Sequence, residues 1–403
     1  PAPLVGAAAL ATLFVLAACT PPEPGPGRLP AVLPALQLPS TLTVPGDYST
    51  PTAALAAAVA GDVVSLGAGT FVGDLTVPGG VILQGAGLEA TFISGHVTVL
   101  GGQAAIRFVT VQGPGLGSLS CGISAGAGDS VELVASRLRN FWQGVCLDPG
   151  TSIAVPWPVI DRVTFRANGY GVTVSSGQVS VTNSYFEYQR RSGLHGFNGA
   201  TVLAINNTFV ANAFGGNAGD RDAGISLGED GASVVRNNLV ISNLFGMQCD
   251  GCSVTSGTND VWGNTTNYAG DAAAASTDLS VDPMLVGFAA GNFRLQAGSP
   301  LIDQGSSEGA PGSDWDGMPR PAGAGWDIGA DEWSLSAFTV VINEVMANPS
   351  NENTGEFVEL ANVGGEPVDI AGLLLSDGDS TDTIQAWQGG STLIPAGGYA
   401  VIV

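Results

Sequence analysis

The chain has 403 residues, of which 45% are hydrophobic and only 12% are charged, and it holds 59 glycines. This composition excludes an intrinsically disordered chain and fits short apolar strands joined by many tight turns. All twelve basic residues are arginine, so a lysine base or a Schiff base is excluded. The formal net charge of −23 predicts no nucleic-acid partner, because an acidic protein repels phosphate groups.

The start of the chain has the features of an export signal. Residues 4–18 form an uncharged apolar run that is short for a membrane span and suits the core of a signal peptide. The run closes on LAAC at Cys19, which resembles a bacterial lipobox and implies that residues 1–19 are a lipoprotein signal peptide with a lipidated cysteine. An aspartate directly after the cysteine would resemble an inner-membrane retention signal, but this chain has Thr20 there. We therefore expect an exported protein at the outer membrane or cell surface, bound to the membrane only through its lipid. An ordinary secretory signal is the alternative.

A linker and a short helix are predicted before the main domain. Residues 20–40 hold seven prolines, which favours an extended, semi-rigid linker. Thr50 is a good helix N-cap, Pro51 suits the first helical position, and the alanine-rich stretch that follows ends at Gly61. We therefore predict a short helix that caps the first coil of a repeat, where strand edges would otherwise be exposed.

A pattern of alternating apolar residues and asparagine returns from residue 41 onward. Its bulky apolar markers are Phe165, Phe186, Phe209, Val240 and Trp262. Alternation within each copy predicts a short strand, and the absence of helical segments between copies predicts stacked coils of strands. We therefore predict an all-β fold in which residues 41–281 form a right-handed parallel β-helix.

Amide side chains recur at fixed positions of this repeat. The apolar markers are predicted to point into the β-helix. Asparagine at the bends tolerates a left-handed backbone, and its amide can bind the asparagine of the next coil. Three residues after the markers a second polar stack is predicted from Asn168, Gln189, Asn212 and Asn243.

The N-terminal part of the repeat resembles a known family. GDVVSLGAGTF, residues 61–71, is similar to the opening of pectin-lyase-like β-helix proteins, in which a capping helix precedes this motif. The resemblance covers most of residues 41–280. It implies the fold and leaves the activity open, because one fold hosts several functions.

Residues 282–333 carry motifs of a different kind. These are, in chain order, DP at 282, NFRL at 292, GSPLID at 298, DGMPRP at 316 and DIGA at 327. They resemble the segment that closes bacterial surface β-helix proteins of the choice-of-anchor Q type, a family defined by architecture and export. The segment lacks the later ligands of a calcium loop, so we predict no metal and no cofactor. Instead, Arg320 is expected to pair with one of the acidic residues Asp314, Asp316, Asp327, Asp331 and Glu332.

The last residues, 334–403, resemble a lamin tail domain, which is an Ig-like β-sandwich found in bacteria on secreted multidomain proteins. The matching motifs are INEV at 342, EFVEL at 356, VDIAG at 368 and PAGGY at 395. Strand-like alternation supports the same fold. Because the match stops in mid-strand at Val403, the domain is expected to be incomplete.

Four cysteines remain once Cys19 is assigned to the lipid, and an even number in an exported protein predicts disulfides. Cys121 and Cys146 are 25 residues apart, close to the length of one coil, which is compatible with a bridge between coils. Cys249 and Cys252 can close a small loop. A redox site would need a helix N-terminus, and a zinc site would need four ligands, whereas the chain has only two histidines.

The densest polar group lies in residues 186–197 and in the insertion at 215–231. The candidate ligand-binding residues are Arg190, Arg191, His195, Asp220, Arg221 and Asp222. Aromatic residues that suit stacking on sugar rings lie nearby: Tyr185, Tyr188, Phe197 and Phe214.

Three interpretations of this polar group remain open. We favour ion pairs from Arg190 and Arg191 to Asp220 and Asp222, ahead of carbohydrate binding. Catalysis would need either an arginine or histidine base next to a bound uronate, or the two aspartates as a glycosidase acid and base. No catalytic residue is assigned.

The sequence therefore predicts a non-enzymatic, lipid-anchored surface protein. Its rigid β-helix would display an interaction module and contact a polysaccharide or a surface protein. A polysaccharide lyase or glycoside hydrolase of the pectin-lyase-like class is the alternative.

Overall fold

The computed structural model of the protein describes residues 38–117, 120–148, 156–214, 222–229, 231–333, 340–346, 357–363, 367–371, 373–376, 381–386 and 390–402. The predicted signal peptide with Cys19, most of the linker, Asp220 and Arg221 lie outside these residues. Two units divide the chain at Leu38, and all that follows concerns the unit Pro39–Val403. It is all-β: a right-handed parallel β-helix of about 10 turns and a small antiparallel region at the C-terminus.

Each turn of the β-helix gives one strand to each of three parallel sheets, here called sheets A, B and C in chain order. Sheet A has ten strands: Thr41–Val44, Val63–Leu66, Ile82–Gln84, Gln103–Arg107, Ser130–Val134, Val159–Asp161, Gln178–Thr182, Thr201–Ile205, Ala232–Arg236 and Ser253–Gly257. Sheet B has nine: Gly69–Val72, Thr91–Ser94, Thr110–Gln112, Arg137–Arg139, Thr164–Arg166, Tyr185–Glu187, Thr208–Val210, Leu239–Ile241 and Asp260–Trp262. Sheet C has nine: Leu75–Pro78, Val97–Leu100, Cys121–Ala125, Gln143–Leu147, Tyr170–Ser175, Leu194–Phe197, Ala223–Gly228, Phe245–Asp250 and Thr266–Gly270.

The predicted capping helix is confirmed as Pro51–Ala57. The Thr50 hydroxyl accepts a hydrogen bond from the backbone N–H of Ala53 at 3.2 Å, as an N-cap does. Two buried helical residues, Ala54 and Leu55, join the main core. The helix stops before Gly61, the predicted end, and Gly61 instead begins the turn into the next strand with a φ of 99°.

Apolar markers stack inside the β-helix, as predicted. Phe165, Phe186 and Phe209 are fully buried and in register. Their ring centroids are 4.7 and 4.5 Å apart with nearly parallel planes. Trp262 was the wrong choice for the last marker, because Val261 continues the stack and Trp262 faces outward from sheet B.

Glycines in sheet C make room for the phenylalanine stack. A Cβ on Gly171 would lie 2.6 Å from the ring of Phe186, and a Cβ on Gly193 would lie 2.8 Å from the ring of Phe209. Real side chains do not approach so closely, so glycine is required at both positions. The core thus dictates a glycine directly after Tyr170.

The two bends on either side of sheet B carry amide ladders. The predicted stack between sheets B and C is confirmed, because each backbone N–H binds the side-chain oxygen of the next coil. The ladder runs from Asn168 to Gln189 (2.9 Å), Asn212 (3.1 Å), Asn243 (2.8 Å) and Asn264 (2.9 Å). A second ladder, between sheets A and B, runs from Ser184 to Asn207 (3.0 Å), Asn238 (3.0 Å) and Asn259 (2.9 Å). These bonds satisfy backbone groups that would otherwise be buried without partners.

The two residues of each asparagine pair between sheets A and B have different roles. The first residue of each pair takes the left-handed backbone, with φ of 55° at Asn206 and 56° at Asn237. Its side chain points away from the ladder. The amide of Asn206 donates to the carbonyls of Asp327 and Gly329, at 2.9 and 3.2 Å. The second residue of each pair makes the ladder, so one dipeptide joins the coils and binds the segment outside them.

That outer segment, residues 282–333, is called here the closing segment. It contains a hairpin of strands Leu285–Gly287 and Asn292–Leu295, joined by the 3₁₀ turn Phe288–Ala290. Together with the outer face of sheet B it buries a second core of Tyr185, Val210, Leu239, Ile241, Phe293, Leu295, Leu301, Ile328 and Ala330.

A buried ion pair fixes the closing segment. Arg320 pairs with Glu332, as expected from the sequence, and both side chains are at most 1% exposed. Glu332 Oε1 also accepts from the backbone N–H of Asp327 at 2.9 Å. Asp314 accepts from the N–H of Met318 at 2.8 Å, which is the turn-capping role expected for these acids. Among the described residues, no three potential metal ligands lie together.

The C-terminal region is a set of short antiparallel pairs. Its strands are Val340–Met346, Phe357–Asn362, Val368–Asp369, Leu374–Ser376, Thr381–Thr383, Leu393–Ile394 and Tyr399–Ile402. They enclose a small core of Leu360, Ile370, Ile384 and Ile394. In the described part of the chain, no helix has the length and apolar character to cross a bilayer.

Candidate functional site

The predicted polar group lies at the bend between sheets B and C and on the outer face of sheet C. His195 faces outward in register with Thr173 and Ser226, because Leu194 and its partners face the core. Arg191 lies in the bend before this strand. Asp222 lies directly before the next strand of sheet C.

Arg191 and Asp222 form the ion pair that the sequence favoured. The Arg191 Nε lies 2.8 Å from the Asp222 Oδ1, and the Asp222 side chain is completely buried. Arg190 is exposed. The other two predicted residues, Asp220 and Arg221, lie outside the described residues. Because the buried Asp222 carboxylate engages this guanidinium, the pair fixes the bend beside sheet C and places Arg191 next to the ring of Tyr170.

Half-buried rings continue from Arg191 across three successive coils. The Arg191 guanidinium lies 5.9 Å from the ring centroid of Tyr170. The Tyr170 ring is 6.0 Å from that of Trp142 and 5.5 Å from that of His195. His195 in turn stacks on Phe197 at 5.1 Å. These four residues, Trp142, Tyr170, His195 and Phe197, are called here the aromatic row.

Sequence reasoning missed Trp142 and Tyr170. They are far apart along the chain, and only the pairing of strands Gln143–Leu147 and Tyr170–Ser175 brings them together. Trp142 lies two residues before Gly144 and carries no local signal, but Tyr170 directly precedes Gly171, which the core requires to be glycine. An aromatic residue at that offset faces outward.

The other predicted aromatic residues have different surroundings. Tyr185 lies beneath the closing segment, where its ring meets Trp315 at 4.9 Å, so it is unavailable to a ligand. Burial, reinforced by the charge of Asp331, raises the pKa of Tyr185 well above its ordinary value. Tyr188 lies under the guanidinium of Arg166 at 5.5 Å. Phe214 is 68% exposed and Phe197 belongs to the aromatic row.

A cavity of about 430 Å³ opens on the same face of sheet C. Its wall includes the hydroxyl groups of Ser124 and Thr173, the amide of Gln143 and the ring of Phe197. This volume is within the range of small-ligand sites, which combine apolar walls with a few polar groups. The cavity and the aromatic row share Phe197 and form one continuous surface.

Disulfides join both predicted cysteine pairs. Cys121 and Cys146 link neighbouring strands of sheet C, with their Cα atoms 5.8 Å apart. They are not directly opposite each other, because Cys146 faces Ser124 and Cys121 faces Gln143. Cys249 and Cys252 close a short loop with a Cα separation of 5.6 Å. The first bridge lies in the wall of the cavity and ties together two of the coils that form it.

Comparisons with known proteins agree with this architecture. Residues 121–283 match the family described as right handed beta helix region, and residues 335–403 match the lamin tail domain. No curated protein sequence matches the chain.

The comparison with solved structures found two lyases among its matches. The crystal structure of pectate lyase Pel9A is 14% identical, with 74% of this chain and 97% of that chain aligned and a TM-score of 0.39. A mutant of the PL6 family alginate lyase AlyGC is 12% identical, with 76% and 60% of the two chains aligned and a TM-score of 0.29. Identities this low concern the fold alone. The two family matches agree with a right-handed β-helix region followed by a lamin tail domain.

Proposed function

We propose that this protein is a non-catalytic, glycan-binding protein of the cell surface. The β-helix serves as a rigid scaffold, and the outer face of sheet C is the binding face. The lamin tail domain is the second module that the scaffold displays, toward a protein or polysaccharide partner.

One observation carries the proposal: the aromatic row meets the cavity at Phe197, which belongs to both. Its centroid distances lie between 5.1 and 6.0 Å. Aromatic rings offer large apolar contact at low entropic cost, and hydroxyl and amide groups beside them supply hydrogen bonds. A chain of sugar rings presents apolar faces and hydroxyl edges, so it complements this surface. Coils about 4.8 Å apart repeat the rings along the β-helix axis and favour an extended ligand.

The binding face can be tested with the full chain and a panel of immobilised polysaccharides: polygalacturonate, alginate, xylan, dextran and dextran sulfate. We expect Tyr170→Ala and Phe197→Ala each to weaken binding of the preferred polymer by about ten-fold, as loss of a central aromatic contact does. Phe288→Ala is the matched control, because Phe288 is a 39% exposed ring on the closing segment. Equal loss in all three variants would contradict the proposal.

Export and lipid attachment at Cys19 are part of the same proposal. The two disulfides support export, because such bonds persist in oxidising compartments. Cells that express the chain with its export signal should incorporate labelled palmitate and carry the protein in the membrane fraction. Cys19→Ala should abolish both. A labelled variant would exclude Cys19 as the attachment site.

A carbohydrate-active enzyme is the second candidate function. It is favoured by the close approach of Arg191, Tyr170 and His195, three residue types that bind or move protons next to an anionic sugar. The same polymers, assayed for unsaturated products and for reducing ends, separate the two functions. Activity that disappears in His195→Ala would establish the enzyme, and silence across the panel would leave the binding protein.

A further inference from the structure

Arginines are concentrated in one part of this acidic protein. Five of the twelve lie in neighbouring coils, on sheet B or at its junction with sheet A: Arg107, Arg137, Arg139, Arg162 and Arg166. Four of them have a carboxylate partner: Arg107–Glu132 at 2.8 Å, Arg137–Glu89 at 2.6 Å, Arg162–Asp161 at 2.9 Å and Arg166–Glu187 at 2.7 Å. The fifth, Arg139, differs.

Arg139 is held by neutral groups only. Its Nη2 donates to the Oε1 of Gln112 at 2.9 Å, and its guanidinium carbon lies 6.0 Å from the ring centroid of Phe92. Within the described part of the chain, no carboxylate lies within ion-pair distance of Arg139, and its buried Nε makes no hydrogen bond, as is also true of Arg107. A partly buried charge without a counter-charge is costly, so this guanidinium is ready to bind an anion.

The neighbour of Arg139 on the adjacent strand of sheet B is also an arginine, Arg166. Arg139 and Arg166 are in register on adjacent strands. Both face outward, because the residues directly before them, Leu138 and Phe165, are buried in the core and side chains alternate along a strand. Adjacent strands are about 4.8 Å apart. Arg166 is engaged by Glu187, so among the described residues Arg139 is the member of this pair without a carboxylate partner.

We propose that Arg139, Gln112 and Phe92 form an oxyanion site for the carboxylate or sulfate group of an acidic polysaccharide. The planar guanidinium can bind both oxygens of such a group, Gln112 fixes its orientation, and Phe92 offers an apolar wall to the sugar ring. The site lies on sheet B, whereas the aromatic row lies on sheet C. The choice of polymer rests on the proposed function; the oxyanion site rests on Arg139.

The full chain is tested by calorimetric titration at about 0.15 M salt, where long-range repulsion between an acidic protein and an acidic polymer is largely screened. The probes are dextran sulfate, polygalacturonate, neutral dextran and sodium sulfate. We expect both acidic polymers to bind more tightly than dextran, and Arg139→Gln to weaken both by about ten-fold. Sodium sulfate that binds as tightly, per sulfate group, as dextran sulfate would overturn the assignment to a polymer.

Arg107→Gln is the matched control. It removes the same charge from a guanidinium that Glu132 already neutralises, and it should change affinity by less than about two-fold. Equal weakening by the two variants would reduce the effect to net charge and overturn the site. If Tyr170→Ala weakens polymer binding and Arg139→Gln does not, the proposed function stands and this inference fails. If Arg139→Gln weakens polymer binding and Tyr170→Ala does not, the oxyanion site stands and the proposed binding face on sheet C fails.

Discussion

The outer faces of sheets B and C differ in what covers them, although both sheets have nine parallel strands and share one core. From Tyr185 onward, sheet B turns apolar residues such as Val210 and Ile241 outward, and the closing segment buries them. Sheet C turns half-exposed rings and hydroxyl groups outward beside a cavity.

This difference separates residues that make the fold from residues that decide how the fold is used. Inward positions are alike in both sheets, because stacked coils need a continuous apolar column. Outward positions are free of that demand. On sheet B they bind a segment of the same chain, and on sheet C they remain available to a ligand.

The largest expected effect separates an inward ring from an outward one. Phe186→Ala removes a fully buried ring from the stack and should lower the free energy of unfolding by about 3–5 kcal/mol. Phe197→Ala removes a half-exposed ring and should change it by less than about 1 kcal/mol. Denaturant unfolding of both variants measures the difference. Similar losses would mean that the aromatic row is structural.

A second prediction concerns the covered face and its dependence on pH. Asp260 faces outward at the end of sheet B, where burial raises its pKa to about 7, although the N–H of Val281 donates to it. The folded state then holds a proton that the unfolded state releases near pH 3.8. Stability from this group should therefore be complete below pH 3.8 and fall as the pH rises to about 7, by up to about 1.4 kcal/mol per pH unit.

Asp260→Asn removes this titration and should flatten the pH dependence of unfolding between pH 3.8 and about 7. A slope remains in this variant, because burial also raises the pKa of Asp327, to about 6, and the pKa values of Glu187 and Asp331. Asp148, an exposed residue in the wall of the sheet C cavity, provides the control. Asp148→Asn removes one negative charge from the surface and so shows the effect of net charge alone. A full slope in Asp260→Asn would exclude this carboxyl as its source.

The interior could be predicted because its signals are local and repeated. The phenylalanine markers and the amide ladder between sheets B and C follow from spacing alone. The error at Trp262 has a physical cause: Val261 faces the core while Trp262 packs against the closing segment, so both are in apolar surroundings and alternation fails. Strand Leu239–Ile241 is apolar at every position, which indicates burial on both faces.

The site was predictable only in part. Charge density pointed to Arg191 and His195, which do lie together with Tyr170. Trp142 and Tyr170 carry no such signal, because a single aromatic residue is common in any strand. They form a site only where neighbouring coils place them side by side. The sequence does not give that alignment directly, because the insertions make the coils differ in length.

The last prediction uses two asparagines with the same backbone and different surroundings. Asn206 on the covered side has a φ of 55°, and Asn198, at the bend after sheet C, has a φ of 54°. Asn206 is fully buried and donates to the carbonyls of Asp327 and Gly329. Asn198 is exposed, and its amide donates to the Ser175 hydroxyl at 3.1 Å. Glycine accepts this left-handed conformation, so the same substitution removes only the amide at each site.

Asn206→Gly should lower the free energy of unfolding by about 1–3 kcal/mol more than Asn198→Gly, because the buried carbonyl of Asp327 loses its amide donor and the amide of Asn237 loses the Asn206 Oδ1 as an acceptor. The entropic cost of glycine in the unfolded chain is common to both variants and cancels in the comparison. Proteolysis of the closing segment should also speed up in Asn206→Gly alone. If both variants lose the same stability, the outward amides do not hold the closing segment, and the apolar contacts with sheet B must be sufficient.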